Sequence, residues 1–185
     1  MTAGFIPRHG GYRNLLSYRK SRVIYRGTRV FCRRFLTRGD RTIDQMIQAA
    51  RSGKQNIIEG SMASGTSKKT EVFLTGVARA SLEELLEDYQ DYLDDRDEPI
   101  WSPDGAEVRW IRNLGDRSND YETFRSWFDD RPGQVVANIQ ITLIHQATYL
   151  LRRQIKSLEN RFIEEGGLSE RMYAARRKHR DQKPR

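Results

Sequence analysis

The sequence predicts an all-α protein: an antiparallel four-helix bundle, with a small helical insertion between the third and fourth long helices and a basic C-terminal helix or tail. Three observations carry this reading. Four long stretches place apolar residues three and four apart, the period of a helix with one buried face. The breaks between the first three stretches are short, at 39–40 and 60–67, as in helices that fold back on one another. No segment of consequence shows the strict alternation of a half-buried strand. The expected division is an N-terminal arm over 1–16, the bundle over 17–95 and 133–166, the insertion over 96–132 and the basic tail over 167–185. At 185 residues such a chain can bury roughly 70% of its unfolded surface. Its mean hydropathy of −0.79 fits long helices with wide polar faces.

The first long helix is expected from Ser17, as N-cap, to Thr37, with Gly39 as its stop. Asp40 then caps a second helix over Arg41–Ala63, whose stripe is Ile43, Met46, Ile47, Ala50, Ile57 and Ile58. After a turn of small residues, a third helix runs from Ser67 to Asp94, with Leu74, Val77, Ser81, Leu85, Tyr89 and Tyr92 on one side. In the insertion, Ser102-Pro103-Asp104 predicts a capped start with proline at the first helical position. That short helix continues through Val108, Ile111 and Leu114, and a second covers Asp120–Phe128. The segment holds Trp101, Trp110 and Trp127, and its aromatic periodicity predicts a folded lid on the bundle rather than a linker.

The fourth long helix, Gly133–Glu165, carries two stripes. Ile141, Ile144, Thr148, Leu151 and Ile155, continuing to Leu158 and Phe162, keep a heptad-like spacing, and Val136, Ile139, Leu143, Ala147 and Leu150 lie about 100° away. One stripe suffices for a bundle core, so Ile141, Ile144, Thr148, Leu151 and Ile155 are the expected interface between subunits of an oligomer.

Charge is segregated along this frame. The first 39 residues hold ten Lys and Arg and no Asp or Glu, so they carry +10, and residues 171–185 carry +6. Subtracting both from the total of +8 leaves −8 for residues 40–170. Within the first helix Arg19, Arg22, Arg26, Arg29 and Arg33 fall in an arc of roughly 80°, opposite Ile24, Phe31 and Phe35. Their repeat of about 5.4 Å along the axis approaches the spacing of phosphates on an extended strand. Such a row needs a polyanion or an acidic protein face beside it. Lys68 and Lys69, at the start of the third helix, can hold a phosphate beside free N–H groups. Arg176, Arg177, Lys178 and Arg180 of the tail complete the candidate nucleic-acid surface.

Little in the chain suggests catalysis, a metal or a cofactor. His9, His145 and His179 are isolated, and no second His or Cys stands at ligand spacing. His145 lies in an apolar run and is expected as a core or interface histidine. The Gly60–Gly65 turn lacks the Lys-Ser/Thr of a phosphate loop and follows a helix where a strand is needed. Glu83, Glu84, Glu87, Asp88, Asp91, Asp94 and Asp95 are expected as a solvated face or as partners for arginines. The lone Cys32 fits a reducing compartment, and with neither a signal-peptide core nor an apolar run of ~18 residues the expectation is a soluble, cytoplasmic protein without a membrane partner.

The segments Asn56-Ile57-Ile58-Glu59-Gly60 and Ala80-Ser81-Leu82-Glu83-Glu84-Leu85 resemble those of a bacterial four-helix-bundle family. It includes proteins encoded by intervening sequences in large-subunit ribosomal RNA, and the accessory variability protein of diversity-generating retroelements. The insertion and tail resemble its longer subgroup with a C-terminal suffix. The resemblance implies a homopentameric ring and no catalysis. For the retroelement member it implies a basic surface that binds nucleic acid, RNA or a DNA/RNA intermediate, and a reverse transcriptase as partner. The resulting expectation is a non-enzymatic, homo-oligomeric nucleic-acid-binding protein. The alternative is a scaffold in which the arginine face meets an acidic helix of a neighbour.

Overall fold

A computed structural model describes residues 9–181. The first half of the expected N-terminal arm, with Arg8, and the end of the basic tail, with Lys183 and Arg185, lie outside that range. Among the described residues a 3₁₀ turn, Tyr12–Asn14, precedes seven α-helices. These are α1 (Leu16–Phe35), α2 (Arg41–Ala63), α3 (Lys68–Asp94), α4 (Ala106–Arg117), α5 (Tyr121–Asp130), α6 (Gly133–Glu165) and α7 (Leu168–Asp181). The fold is all-α, and the first six helices pack together. No helix among the described residues is long and apolar enough to cross a membrane.

The starts of α2 and α3 follow from local chemistry. Asp40 accepts from the Thr42 amide at 2.9 Å and Ser67 from the Thr70 amide at 3.1 Å, each satisfying an N–H that has no partner within the helix. Two expected starts are corrected. Ser17 is not a cap: it is buried inside α1, and its hydroxyl donates to Gln154 Oε1 at 2.8 Å. Residues 102–105 form a turn closed by the Gly105 amide on the Ser102 carbonyl at 2.8 Å, so α4 begins at Ala106, beyond Pro103.

The long helices α1, α2, α3 and α6 contact one another in the order α1–α2–α3–α6–α1 and enclose one core. Across its middle, Phe31 packs edge-on against Tyr89 and Tyr92 at 4.9 and 4.7 Å, and the Tyr89 hydroxyl donates to Thr28 Oγ1 at 3.0 Å. A Cβ at Gly27 would run into Gln140 and Phe128, so this glycine is what lets α1 approach them. The motif residues act structurally: Ser81 shares a hydrogen bond with Ser52 at 2.9 Å, Asn56 donates to Ser52, and Glu59 is exposed.

The insertion is folded, and it belongs to this core rather than standing apart. Ile111, Tyr121, Phe124 and Phe128 join the same buried cluster as the long helices, with α4 on α6 and α5 on α1. The Trp101 amide donates to Asn138 Oδ1 at 2.7 Å, while Trp110, 47% exposed, stacks obliquely on Trp127.

Four of the five residues of the expected subunit interface lie inside the single chain. Ile141, Ile144, Thr148 and Leu151 are buried within the single chain, as are Val136, Ile139, Leu143 and Ala147, and Ile155 is half-buried. Up to Leu151 both stripes are core apart from the half-buried Leu150, because α6 is packed by α1, α3 and α4 together, while Phe162 at the far end is exposed. Of the two places expected for His145, the core is ruled out: it is exposed, with its pKa below the usual histidine value through partial desolvation.

Two residues of the basic run anchor the insertion. Lys20, only 3% exposed, donates from Nζ to the Gly115 carbonyl at 2.7 Å and to Gln146 Oε1 at 2.9 Å, joining α1, α4 and α6. Arg34 donates to the Phe128 and Arg131 carbonyls at the end of α5, where a helix leaves acceptors unpaired. Burial holds Lys20 down at about pKa 8, against the favourable field of Asp116. Between pH 8 and the free-lysine value, the unfolded chain carries a proton that the native chain lacks. Native stability therefore rises with pH across that window, by up to about 3 kcal/mol from this residue. Urea unfolding of wild type and Lys20→Met at pH 7.5 and pH 10 isolates the contribution, since other titrations are common to both. Wild type should gain on the variant as pH rises; parallel curves would mean that Lys20 is not buried as a titrating group.

Candidate nucleic-acid interface

Helix α1 buries Val23, Ile24, Val30 and Phe31, and its period then forces the arginine row outward. Arg19, Arg22, Arg29 and Arg33 are exposed, and none of them makes an ion pair among the described residues. Arg26 differs. It is half-buried, its guanidinium lies 3.6 Å over the Tyr121 ring, and Nη2 is 3.6 Å from Glu122 Oε1. The row is thus pinned to α5 at its middle, with no ion pair among the described residues on either side.

Helix α2 widens the basic surface with Arg51 and Lys54, which the sequence reading did not include. Lys54 Nζ sits 4.8 Å from the centroid of the Tyr25 ring, which Arg29 also approaches, at 5.9 Å. Desolvation, then the neighbouring charges of Arg51 and Arg22, lower the Lys54 pKa. That crowding of like charge is the field a polyanion would relieve. No linear signal marks the pair: by helical period Lys54 falls within the apolar stripe of α2 and Arg51 at its edge, and Lys54 is half-buried.

The remaining candidates are scattered. Lys68 Nζ is 3.3 Å from Glu71 Oε2, with both side chains largely buried, so of the expected lysine pair Lys69 alone is exposed. Helix α7 buries no residue; Arg177 and Arg180 approach Asp181 at 3.9 and 3.7 Å, while Arg176 and Lys178 make no ion pair among the described residues.

The acidic half of α3 is equally unsatisfied. Glu84, Glu87, Asp91, Asp94 and Asp95 are exposed, and none forms an ion pair among the described residues. Burial, then Asp91 and Glu84, push the Asp88 carboxyl up to about 6. Because α1 and α3 face each other through Phe31 and Tyr89, their polar faces lie on opposite sides of the core. The molecule therefore has a basic side and an acidic side.

For covalent chemistry the arrangement offers little. Cys32 is buried beside Met46, 3.9 Å sulfur to sulfur, and desolvation raises its thiol to about 12, far from a reactive thiolate. Among the described residues no group of His, Cys, Asp and Glu is placed to hold a metal ion. Compared with family models, curated proteins and solved structures, the chain matches none of them.

Proposed function

We propose that this protein is a non-enzymatic, cytoplasmic nucleic-acid-binding protein whose α1 face lies along a sugar–phosphate backbone. The observation that carries the reading is the row Arg19, Arg22, Arg29 and Arg33, exposed, unpaired and broadened by Arg51 and Lys54. Four guanidinium groups on one rigid helix keep an anion spacing that a flexible loop would not. Arginine–phosphate contacts carry no base information, so binding is to single strands of RNA, or of a DNA/RNA intermediate, with little preference of sequence. The contact order of the long helices supports a reading as an antiparallel four-helix bundle of the family that the Asn56–Gly60 and Ala80–Leu85 segments resemble. That resemblance carries the further proposal of a homopentamer serving a reverse transcriptase. With Ile141, Ile144, Thr148 and Leu151 inside the chain, assembly falls to what stays exposed, such as Phe162 and Ile163 at the end of α6 and Met172 and Tyr173 on α7.

The exposed carboxylates of α3 favour a second reading, in which the arginine face of one copy meets the acidic face of the next and no nucleic acid is needed. Fluorescence anisotropy with labelled 20-nucleotide single strands separates the two. The first reading expects saturable binding of similar strength for unrelated sequences. A protein that self-assembles at low salt but leaves every strand free would establish the scaffold.

A further inference from the structure

Beside the arginine row, a groove of about 820 Å³ opens between α1 and the segment joining α4 to α5. That size falls within the roughly 300–1,000 Å³ of small-molecule sites. Arg13, Arg19, Arg22 and Arg117 line it, brought from the 3₁₀ turn, α1 and the end of α4, and all four are exposed. None makes an ion pair among the described residues; Arg19 Nε donates to the Arg13 carbonyl at 2.9 Å, which leaves its charge uncompensated.

The walls do not suit a plain polyanion. Asp116 and Asp120 also line the groove and would repel one. Asp116 Oδ1 already accepts from Gln146 Nε2 at 3.0 Å, but Asp120, at the N-cap of α5, makes no side-chain capping bond and keeps its oxygens free to accept. Next to it, Asn119 Oδ1 is a buried acceptor with no partner, so turning that amide toward an occupant breaks no hydrogen bond of the oxygen. The floor is apolar and aromatic: Leu16 is 50% exposed, and Tyr18 is braced edge-on by Tyr12 at 4.9 Å. A ligand that combines an anion, hydrogen-bond donors and a flat face matches this lining. That is the chemistry of a nucleotide.

We infer that this groove seats one nucleotide unit, its phosphate among the four arginines, its base over Leu16 and Tyr18, and its donors on Asp120 and Asn119. The inference rests on the reading of α1 as a nucleic-acid surface, and it adds a base pocket to a surface that otherwise touches only phosphates.

The test compares a labelled 12-nucleotide oligo(dA) with a 12-unit abasic deoxyribose-phosphate chain at one salt concentration. Stacking of one base raises affinity by about tenfold, so oligo(dA) should bind about tenfold more tightly than the abasic chain. Leu16→Asn and Asn119→Ala, each checked for native helicity, should bring the two affinities together by weakening oligo(dA) alone. Arg117→Gln should weaken both strands alike. Excess 5′-AMP that removes the oligo(dA) advantage would show that a free nucleotide fills the groove; no competition would show that the nucleotide must belong to a strand. Equal wild-type affinity for the two strands would overturn the pocket and leave the arginine row standing. Failure of both strands to bind would overturn the row, and the pocket with it.

Discussion

Replacing Arg22, Arg29 and Arg33 together by Gln should lower affinity for every single strand by about 100-fold while leaving the chain folded. The three side chains are exposed and make no ion pair among the described residues, so their loss breaks no salt bridge there. Glutamine keeps the helix propensity of arginine and stays polar while removing the charge. Each charge-assisted contact with a phosphate contributes at least ~1 kcal/mol, which for three gives about 2 orders of magnitude. Arg26 is left in place because its guanidinium also covers Tyr121 and pairs with Glu122, and its removal would disturb the seat of α5. Circular dichroism and anisotropy on the same preparation check the two halves of the expectation. Unchanged strand affinity in a folded variant would remove α1 from the interface.

A larger change, in stability rather than binding, is expected from Ile144→Asp with Leu151→Asp. Both side chains are fully buried within the chain. Each substitution removes an aliphatic group worth ~2–5 kcal/mol on truncation and adds a carboxyl with no partner, a further cost of several kcal/mol. Together they exceed the ~5–15 kcal/mol of net stability typical of a domain. The double variant should lose its helical signal or reach the insoluble fraction. A folded, helical monomer obtained from a wild-type oligomer would instead return this stripe to the role of subunit interface.

That contrast shows where the sequence is informative and where it stops. The bounds of α2, and those of α3 to within one residue, follow from Asp40, Ser67 and the small-residue turn, because capping is decided within three or four residues of chain. Ser17 has the right chemistry for a cap, but its hydroxyl is claimed by Gln154, a contact across 137 residues that no local pattern encodes. The two stripes of α6 were legible as apolar; what covers them was not. That depends on how α4 folds back, which is a property of tertiary structure. The arginine row was legible because helical period alone sets which side faces out once Ile24 and Phe31 are buried. Lys20 was not, since a lysine in a run of ten bases reads as surface until Gly115 and Gln146 close over it. The groove beside the row needed three segments from opposite ends of the first 120 residues, and so had no linear signature.

The most direct test of the central claim is the salt dependence of strand binding by the wild-type protein. Each phosphate neutralised on a single strand releases condensed counterion and contributes about −0.7 to the slope of log affinity against log salt. The four exposed, unpaired arginines of α1 therefore predict a linear slope of about −3 between 50 and 300 mM salt, the same for unrelated sequences. A slope near zero, or a slope that differs from one sequence to another, would contradict a backbone-binding arginine face.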